Sequence, residues 1–221
     1  MKNKTPLFDN DSIGWLQAFH DFTIAIDGRP PLKGSLPRGG EGNSAPVIDY
    51  ERAQAIASAL VLANLNSLPL DWAARFSMGY ANMSFHIVKQ LPVLPPESYL
   101  QEAVQDLKYV DLVVPHALEL TYTANDMERF ARNLGYQGPP FSWDEHRRLC
   151  LKCELDAIFS HMYRLDRTDL EWILDAPPPS SSFPGLKRNE IKEFGEYRTQ
   201  RYVLHAYDQL ACGELPDLEN V

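Results

Sequence analysis

Residues Ser142 to Met162 read SWDEHRRLCLKCELDAIFSHM, and this stretch decides the fold class. Ser142-x-x-Glu145 has the form of a capping box, in which side-chain oxygens satisfy amides left unpaired at a helix start. Leu151, Leu155, Ile158 and Met162 then recur at i, i+4, i+7 and i+11, which is one apolar stripe along a helix. Two further boxes, Thr123-x-x-Asp126 and Thr168-x-x-Glu171, place helix starts on either side of it. A last helix is expected from about Glu196 to Ala211. Residues 97–221 therefore read as a helical region, with Pro177-Pro-Pro-Ser-Ser-Ser182 as an extended linker inside it.

Working back from there, the pattern becomes mixed. Phe85-His-Ile-Val-Lys-Gln-Leu91 suits a strand, closed by Pro92 and by Pro95-Pro96. Glu51 to Leu65 is Ala/Leu-rich and apolar almost all round, so it reads as a helix buried on most sides. Leu68 to Phe76 reads as a second short helix, with Pro69 tolerated in its first turn. Phe22 to Ile26 reads as a strand, and Lys33 to Ser44, with four glycines, as a loop. Residues 1–12 are polar and read as frayed. The expectation is an α+β chain: a mixed α/β first half with a small sheet, then a helical second half.

The 44% hydrophobic and 23% charged content is that of an ordinary globular protein. No run approaches the roughly 18 apolar residues of a membrane helix, so no membrane partner is expected. MKNKTPLFDNDS lacks the apolar segment of a signal peptide, and three cysteines do not make a disulfide framework. Both observations point to the cytoplasm. The formal charge of −9, from 30 acidic and 21 basic residues, opposes nucleic-acid binding except through a local basic patch.

Three arrangements are candidates for chemistry. His146, Cys150 and Cys153 share one side of their helix, as metal ligands would. Structural zinc needs four ligands, though, and only Cys212 is left to supply another sulfur, so ordinary helix cysteines are the stronger reading. Asp111 with Glu190-Ile-Lys192 imitates a metal nuclease, but carboxylates are abundant enough for that match to arise by chance. The last helix sets Val203, Leu204, Tyr207, Leu210 and Ala211 on one side, and Arg198, Arg201, Tyr202 and His205 on the other. With Lys187, Arg188 and Lys192 just upstream, this is the densest basic stretch of the chain. Such a face can grip phosphates. The competing reading is a solvated face paired with Glu190, Glu193 and Glu196. The chain has no Gly-x-Ser-x-Gly elbow, no GxxxxGK[ST] loop and no GxGxxG, so no catalytic residues are assigned.

Two stretches resemble a known family. The first runs from Trp15 to Pro96. It carries Trp15-Leu-Gln-Ala-Phe-His-Asp21, Leu36-Pro-Arg38 with Gly42-Asn-Ser44, Leu65-Asn-Ser67 with Asp71-Trp72 and Arg75, and Phe85-His-Ile-Val-Lys-Gln-Leu-Pro92 with Leu94-Pro-Pro96. The second carries Glu154-Leu-Asp-Ala157, His161-Met-Tyr163-Arg-Leu165, Trp172-Ile-Leu-Asp175, Phe183-Pro184, Lys187-Arg188, Gly195-Glu-Tyr-Arg-Thr199 with Arg201, and Ala206-Tyr207-Asp208. In order and spacing these resemble the target-recognition and tail segments of type II restriction–modification adenine-N6 DNA methyltransferases.

The resemblance divides the chain into part of a target-recognition-like domain (13–96) and a tail region (97–221). It implies a DNA-recognition or specificity segment in restriction–modification or phage defence. Its partners would be a methyltransferase catalytic polypeptide and, through that complex, double-stranded DNA. Arg38, Lys89, Lys187, Arg188, Arg198 and Arg201 become the candidate DNA contacts. The family's Asn-Pro-Pro-Tyr/Phe motif and glycine-bearing S-adenosylmethionine loop do not occur here. No cofactor is therefore expected on this chain, and S-adenosylmethionine belongs to the partner. The Pro177 to Ser182 insertion and Gln200, where the family usually has a lysine, are further departures. A chain of this kind is a split subunit, a gene remnant or an excised piece. A remnant would expose apolar surface between Leu60 and Phe76. The alternative function is a helical subunit that binds protein and never touches DNA.

Overall fold

Helix α6 (Glu145–Met162) is the axis of the molecule: ten consecutive or near-consecutive residues from Cys150 to Ser160 are buried, far more than one stripe. The computed structural model describes residues 15–19, 33–37, 47–48, 55–77, 85–178, 180–219 and 221. Around α6 pack α9 (Arg198–Ala211), α4 (Tyr109–Thr121) and α2 (Leu68–Ser77). α1 (Ala55–Leu65) packs on α4, and α7 (Arg167–Asp175) on α9. Leu151 and Ile158 of the expected stripe are buried, but so are Cys150, Cys153, Ala157 and Phe159 around the rest of the helix. A helix enclosed on several sides needs no amphipathic pattern, and this one has little.

The small sheet is antiparallel, with β1 (Trp15–Phe19) between β2 (Lys33–Pro37) and β3 (Val47–Ile48). Gln17 lies opposite Ser35 and Ile48. The sheet is tied to the helices by Gln17 Nε2, which donates to the Ser58 carbonyl at 2.6 Å, and by Trp15, whose ring meets Phe130 edge-on at 4.9 Å. The α+β class with a helical second half holds.

Several local expectations do not. Lys33 to Pro37 is a strand although its glycine content predicts a loop, because pairing along β1 overrides the poor strand propensity of Gly34 and Ser35. The strand read at Phe22–Ile26, the frayed residues 1–12 and the rest of the glycine loop lie outside the described residues. Phe85–Val88 is a single helical turn, α3, and no strand. A short apolar run is ambiguous between strand and helix. Here Gln90 reaches back to His86 at 2.7 Å, and Leu91 drops into a small cluster with Leu65, Leu70 and Ala74. The second half is also not wholly helical. β4 (Glu102–Val104) and β5 (Leu107–Lys108) form a hairpin, closed by Gln105 and Asp106 at φ 52° and 64°. Two successive left-handed residues make the tight turn that matches strand twist.

The helix starts fall near the three boxes but use other groups. α6 is capped by Asp144, which accepts from the Arg147 amide at 2.8 Å. α7 is capped by Asp166, which accepts from the Asp169 amide at 2.8 Å while Asp169 answers the Asp166 amide. At Thr123–Asp126 only a 3-10 turn forms, Asn125–Met127, with no side-chain cap. A carboxylate outcompetes a hydroxyl at these positions because it also meets the positive end of the helix dipole. The expected linker is a turn: Ser180 N–H donates to the Pro177 carbonyl at 2.9 Å, between buried Ala176 and buried Phe183. Phe183 leads directly into α8 (Pro184–Phe194).

Between Leu60 and Ala74 the described apolar residues face inward. Leu60, Leu62, Leu65, Leu68, Leu70 and Ala74 are buried, and Trp72 packs on the main core. The apolar surface that a remnant would expose there is covered by the chain itself.

Candidate nucleic-acid interface

The candidate contacts divide by what already holds them. Lys187, on the first turn of α8, points its ammonium at both oxygens of Asp175 at 2.6 and 2.7 Å, closing α8 onto the end of α7. Arg201 donates to Glu196 at 3.1 Å and lies over the Tyr202 ring at 4.7 Å. Arg198 lies 3.6 Å from the same Glu196 and stacks on Phe194 at 3.8 Å, while its Nε is buried without a hydrogen-bond partner. One carboxylate thus gathers both arginines of the last helix. Arg188 and Lys89 are exposed and make no ion pair among the described residues. Arg38 lies outside them.

Two corrections concern the last helix. Tyr202 was placed on the open face with the arginines but is buried, with its hydroxyl near Val221 and His146. Ala211 was placed on the apolar side but is exposed. The helix sits rotated toward the side of Tyr202 and Ala206, because α6 and the segment after α9 enclose it from there.

The carboxylates expected to pair with the basic face have separate tasks. Glu190 is buried and accepts from the amide and the hydroxyl of Thr199 at 2.9 and 2.6 Å. It therefore caps α9 from α8, where the helix dipole favours a negative charge. Asp111 accepts from the Lys108 amide at 2.9 Å at the start of α4. Neither is arranged as a nuclease carboxylate would be.

Cys150 and Cys153 are core residues, 0% and 1% exposed. Burial pushes the Cys150 thiol up to about 11, so it is a poor nucleophile. Its Sγ lies 3.8 Å from His146 and donates to the Leu218 carbonyl at 3.5 Å. Cys212 is exposed just past α9. Among the described residues no three His, Cys, Asp or Glu side chains gather as a metal site.

Sequence reasoning missed the buried polar junction that joins the two halves. Asn64, wholly buried in α1, donates to the Tyr163 hydroxyl at 2.9 Å and accepts from the Leu94 amide at 3.0 Å. The Tyr163 hydroxyl in turn donates to the Pro92 carbonyl at 2.8 Å. Beside it, buried Asp156 accepts from the Leu68 amide at 2.8 Å, at the start of α2. Arg75 binds Asp71, stacks on Phe183 at 4.4 Å and reaches the Ser182 carbonyl at 3.2 Å. Partners separated by 88 or 99 residues leave no local signal. The one available clue was polarity at Asn64 inside an apolar helix.

The charge balance limits what the face can do. From Pro184 to His205 there are five cations against three carboxylates, and most of the cations are paired. Among the described residues no helix is long and apolar enough to cross a membrane. Comparison of the chain with protein-family models, with curated proteins and with solved structures finds no match.

Proposed function

We propose that this chain is a non-catalytic recognition segment that works beside a separate S-adenosylmethionine-dependent adenine-N6 DNA methylase, in restriction–modification or phage defence. Its role is to dock on the catalytic polypeptide and help hold DNA while the partner flips and methylates the adenine. The observation that carries this reading is the junction between the two family-like stretches. Leu65-Asn-Ser67 and Asp71 to Arg75 of the first stretch, and Glu154 to Ala157 and Tyr163 of the second, meet there through Asn64–Tyr163 and Leu68–Asp156. Motifs that are neighbours in space as well as ordered in sequence are what a single recognition module would carry.

The phosphate-gripping cations in this proposal are Arg188 and Lys89, which are exposed and make no ion pair among the described residues, with Arg198 and Arg201 contributing once Glu196 releases them. The test is methylation by the co-purified catalytic polypeptide with and without this chain. Target methylation that depends on the chain supports the proposal. Equal methylation without it overturns the proposal.

A second reading, a protein-binding subunit with no DNA contact, is favoured by the Glu196 and Asp175 pairings and by the formal charge of −9. It predicts DNA affinity that is weak and indifferent to charge reversal at Arg188.

A further inference from the structure

Among its described residues the segment after α9 forms no helix or strand, yet it is held to the protein by specific contacts. Its exit is fixed by Gly213 at φ 78°, with the Gly213 amide donating to Leu210 O and the Glu214 amide to Gln209 O. This left-handed helix ending turns the chain back on itself. Cys212 to Leu215 and Asp217 are exposed, whereas Leu218 is completely buried in the main core.

From Asp217 onward the strap closes on itself through the Glu219 amide to Asp217 and the Val221 amide to the Leu218 carbonyl, and side chains of α6 and α9 hold it to the helices. The Leu218 amide donates to Glu154 Oε1 at 3.3 Å, and its carbonyl accepts from Cys150 Sγ at 3.5 Å. Arg147 Nη1 binds Glu219 at 2.8 Å. Gln209 Oε1 accepts from the Asp217 amide at 3.1 Å, and the Tyr202 hydroxyl donates to the Val221 carbonyl at 3.3 Å. The groove thus reads a backbone amide and carbonyl, a leucine side chain and an acid at the next position.

Both charged walls of the groove keep a partner when the strap leaves. Glu154, 3% exposed, is also bound by His116 Nε2 at 2.7 Å. Arg147 also holds Glu119 through two bonds of 2.9 and 3.1 Å. A buried charge without a partner is costly, and here neither charge is orphaned by opening.

We infer that the α6–α9 groove is a docking site for a short partner segment bearing a leucine followed by an acidic residue, which the chain's own Asp217-Leu-Glu219 occupies until it is displaced. Charge complementarity argues for this occupant: Arg147 selects the acid beside the leucine, and Glu154 reads the backbone rather than a side chain. The inference goes beyond the methylase reading and stands without it, since peptide binding is measured with neither DNA nor methylase present.

The probe is a fluorescent peptide of sequence ELPDLENV, titrated by anisotropy into the full chain and into its Leu218→Ala variant. The variant's weakened strap competes less, so the peptide should bind it at least about ten-fold tighter than the unaltered chain. The same peptide carrying L218D should not bind. A folded L218A chain that binds no tighter, or binds the L218D peptide equally well, overturns the inference. So does a dimer that forms with rising concentration and excludes the peptide, because the groove then belongs to a second copy. Hydrogen exchange on the unaltered chain gives an independent reading. The Leu218 and Glu219 amides should exchange at least about ten-fold faster than those of Ile158 and Phe159 in α6. Exchange of strap and α6 together, only on global unfolding, overturns detachability.

Discussion

Asn64 and Tyr163 stand 99 residues apart in the chain and 2.9 Å apart in space, the amide of one donating to the phenol of the other inside the junction of α1, α6 and the segment at Pro92. The junction explains why an asparagine sits in a largely apolar helix: an apolar side chain there would leave the Leu94 amide without this partner.

Asn64→Leu should therefore destabilise the protein by about 2–3 kcal/mol despite the gain in hydrophobicity, because buried groups lose their partners. Tyr163→Phe should cost about 1 kcal/mol. The double variant should cost less than the sum, with the coupling read from urea denaturation midpoints of the four proteins. Strict additivity would mean that the two side chains do not act together.

The same junction contributes to the loss of stability at alkaline pH. Burial pushes the Tyr163 phenol up to about 12 from its ordinary 10.0, against a smaller opposing pull from its hydrogen bond to Asn64. Tyr99 is pushed up further, by burial and by its neighbour Tyr163. Both phenols are protonated when folded and ionise first in the unfolded chain. Their contribution to stability is whole below pH 10 and lost as pH rises from 10 toward 12. Denaturation midpoints should fall across that window. Tyr163→Phe should make the fall shallower without abolishing it, since Tyr99 remains. A fall of undiminished steepness in the variant would remove Tyr163 from the account.

The helical second half was legible in the sequence because its signals are local. Periodic leucines and acidic helix starts work over four to eleven residues, and α6, α7 and α9 lie where those signals put them. What failed was decided at longer range. Lys33 to Pro37 became a strand because β1 was available to pair with it, and Phe85 to Val88 became a helical turn, with no strand paired to it among the described residues. The basic face was visible as a cluster of types, but its neutralisation was not. Glu196 holding two arginines, and Glu190 turning inward to cap α9, depend on the angle between α8 and α9, and no spacing rule encodes that angle.

That cap gives a third prediction. Glu190→Ala removes the acceptor for the Thr199 amide and hydroxyl, leaving both without this partner, and should cost about 1–3 kcal/mol. Glu190→Gln keeps one accepting oxygen for the Thr199 amide, and the Thr199 hydroxyl can turn to accept from the new NH2; with the charge at the helix start gone, it should cost less, about 0.3–1 kcal/mol. Thermal unfolding of the two variants separates these effects. Equal losses would mean that the negative charge, rather than the hydrogen bonds, carries the cap.

The cations give the fourth prediction, and it separates the two functional readings. Arg198 and Arg201 are held by Glu196, so reversing them removes local ion pairs as well as any phosphate contact. Arg188 and Lys89 are exposed and make no ion pair among the described residues, so Arg188→Glu and Lys89→Glu change external charge with little effect on the fold. If the complex with a methylase grips DNA through this chain, each of those two substitutions should weaken binding across all DNA sequences. Each should also lower the slope of log affinity against log salt by about 0.9, one phosphate contact apiece. Glu196→Gln should act in the opposite direction and strengthen binding, because it frees both arginines of the last helix. Binding that responds to none of the three, measured by filter retention over a salt series, would leave the protein-docking reading as the one consistent with an acidic chain whose α9 arginines are occupied.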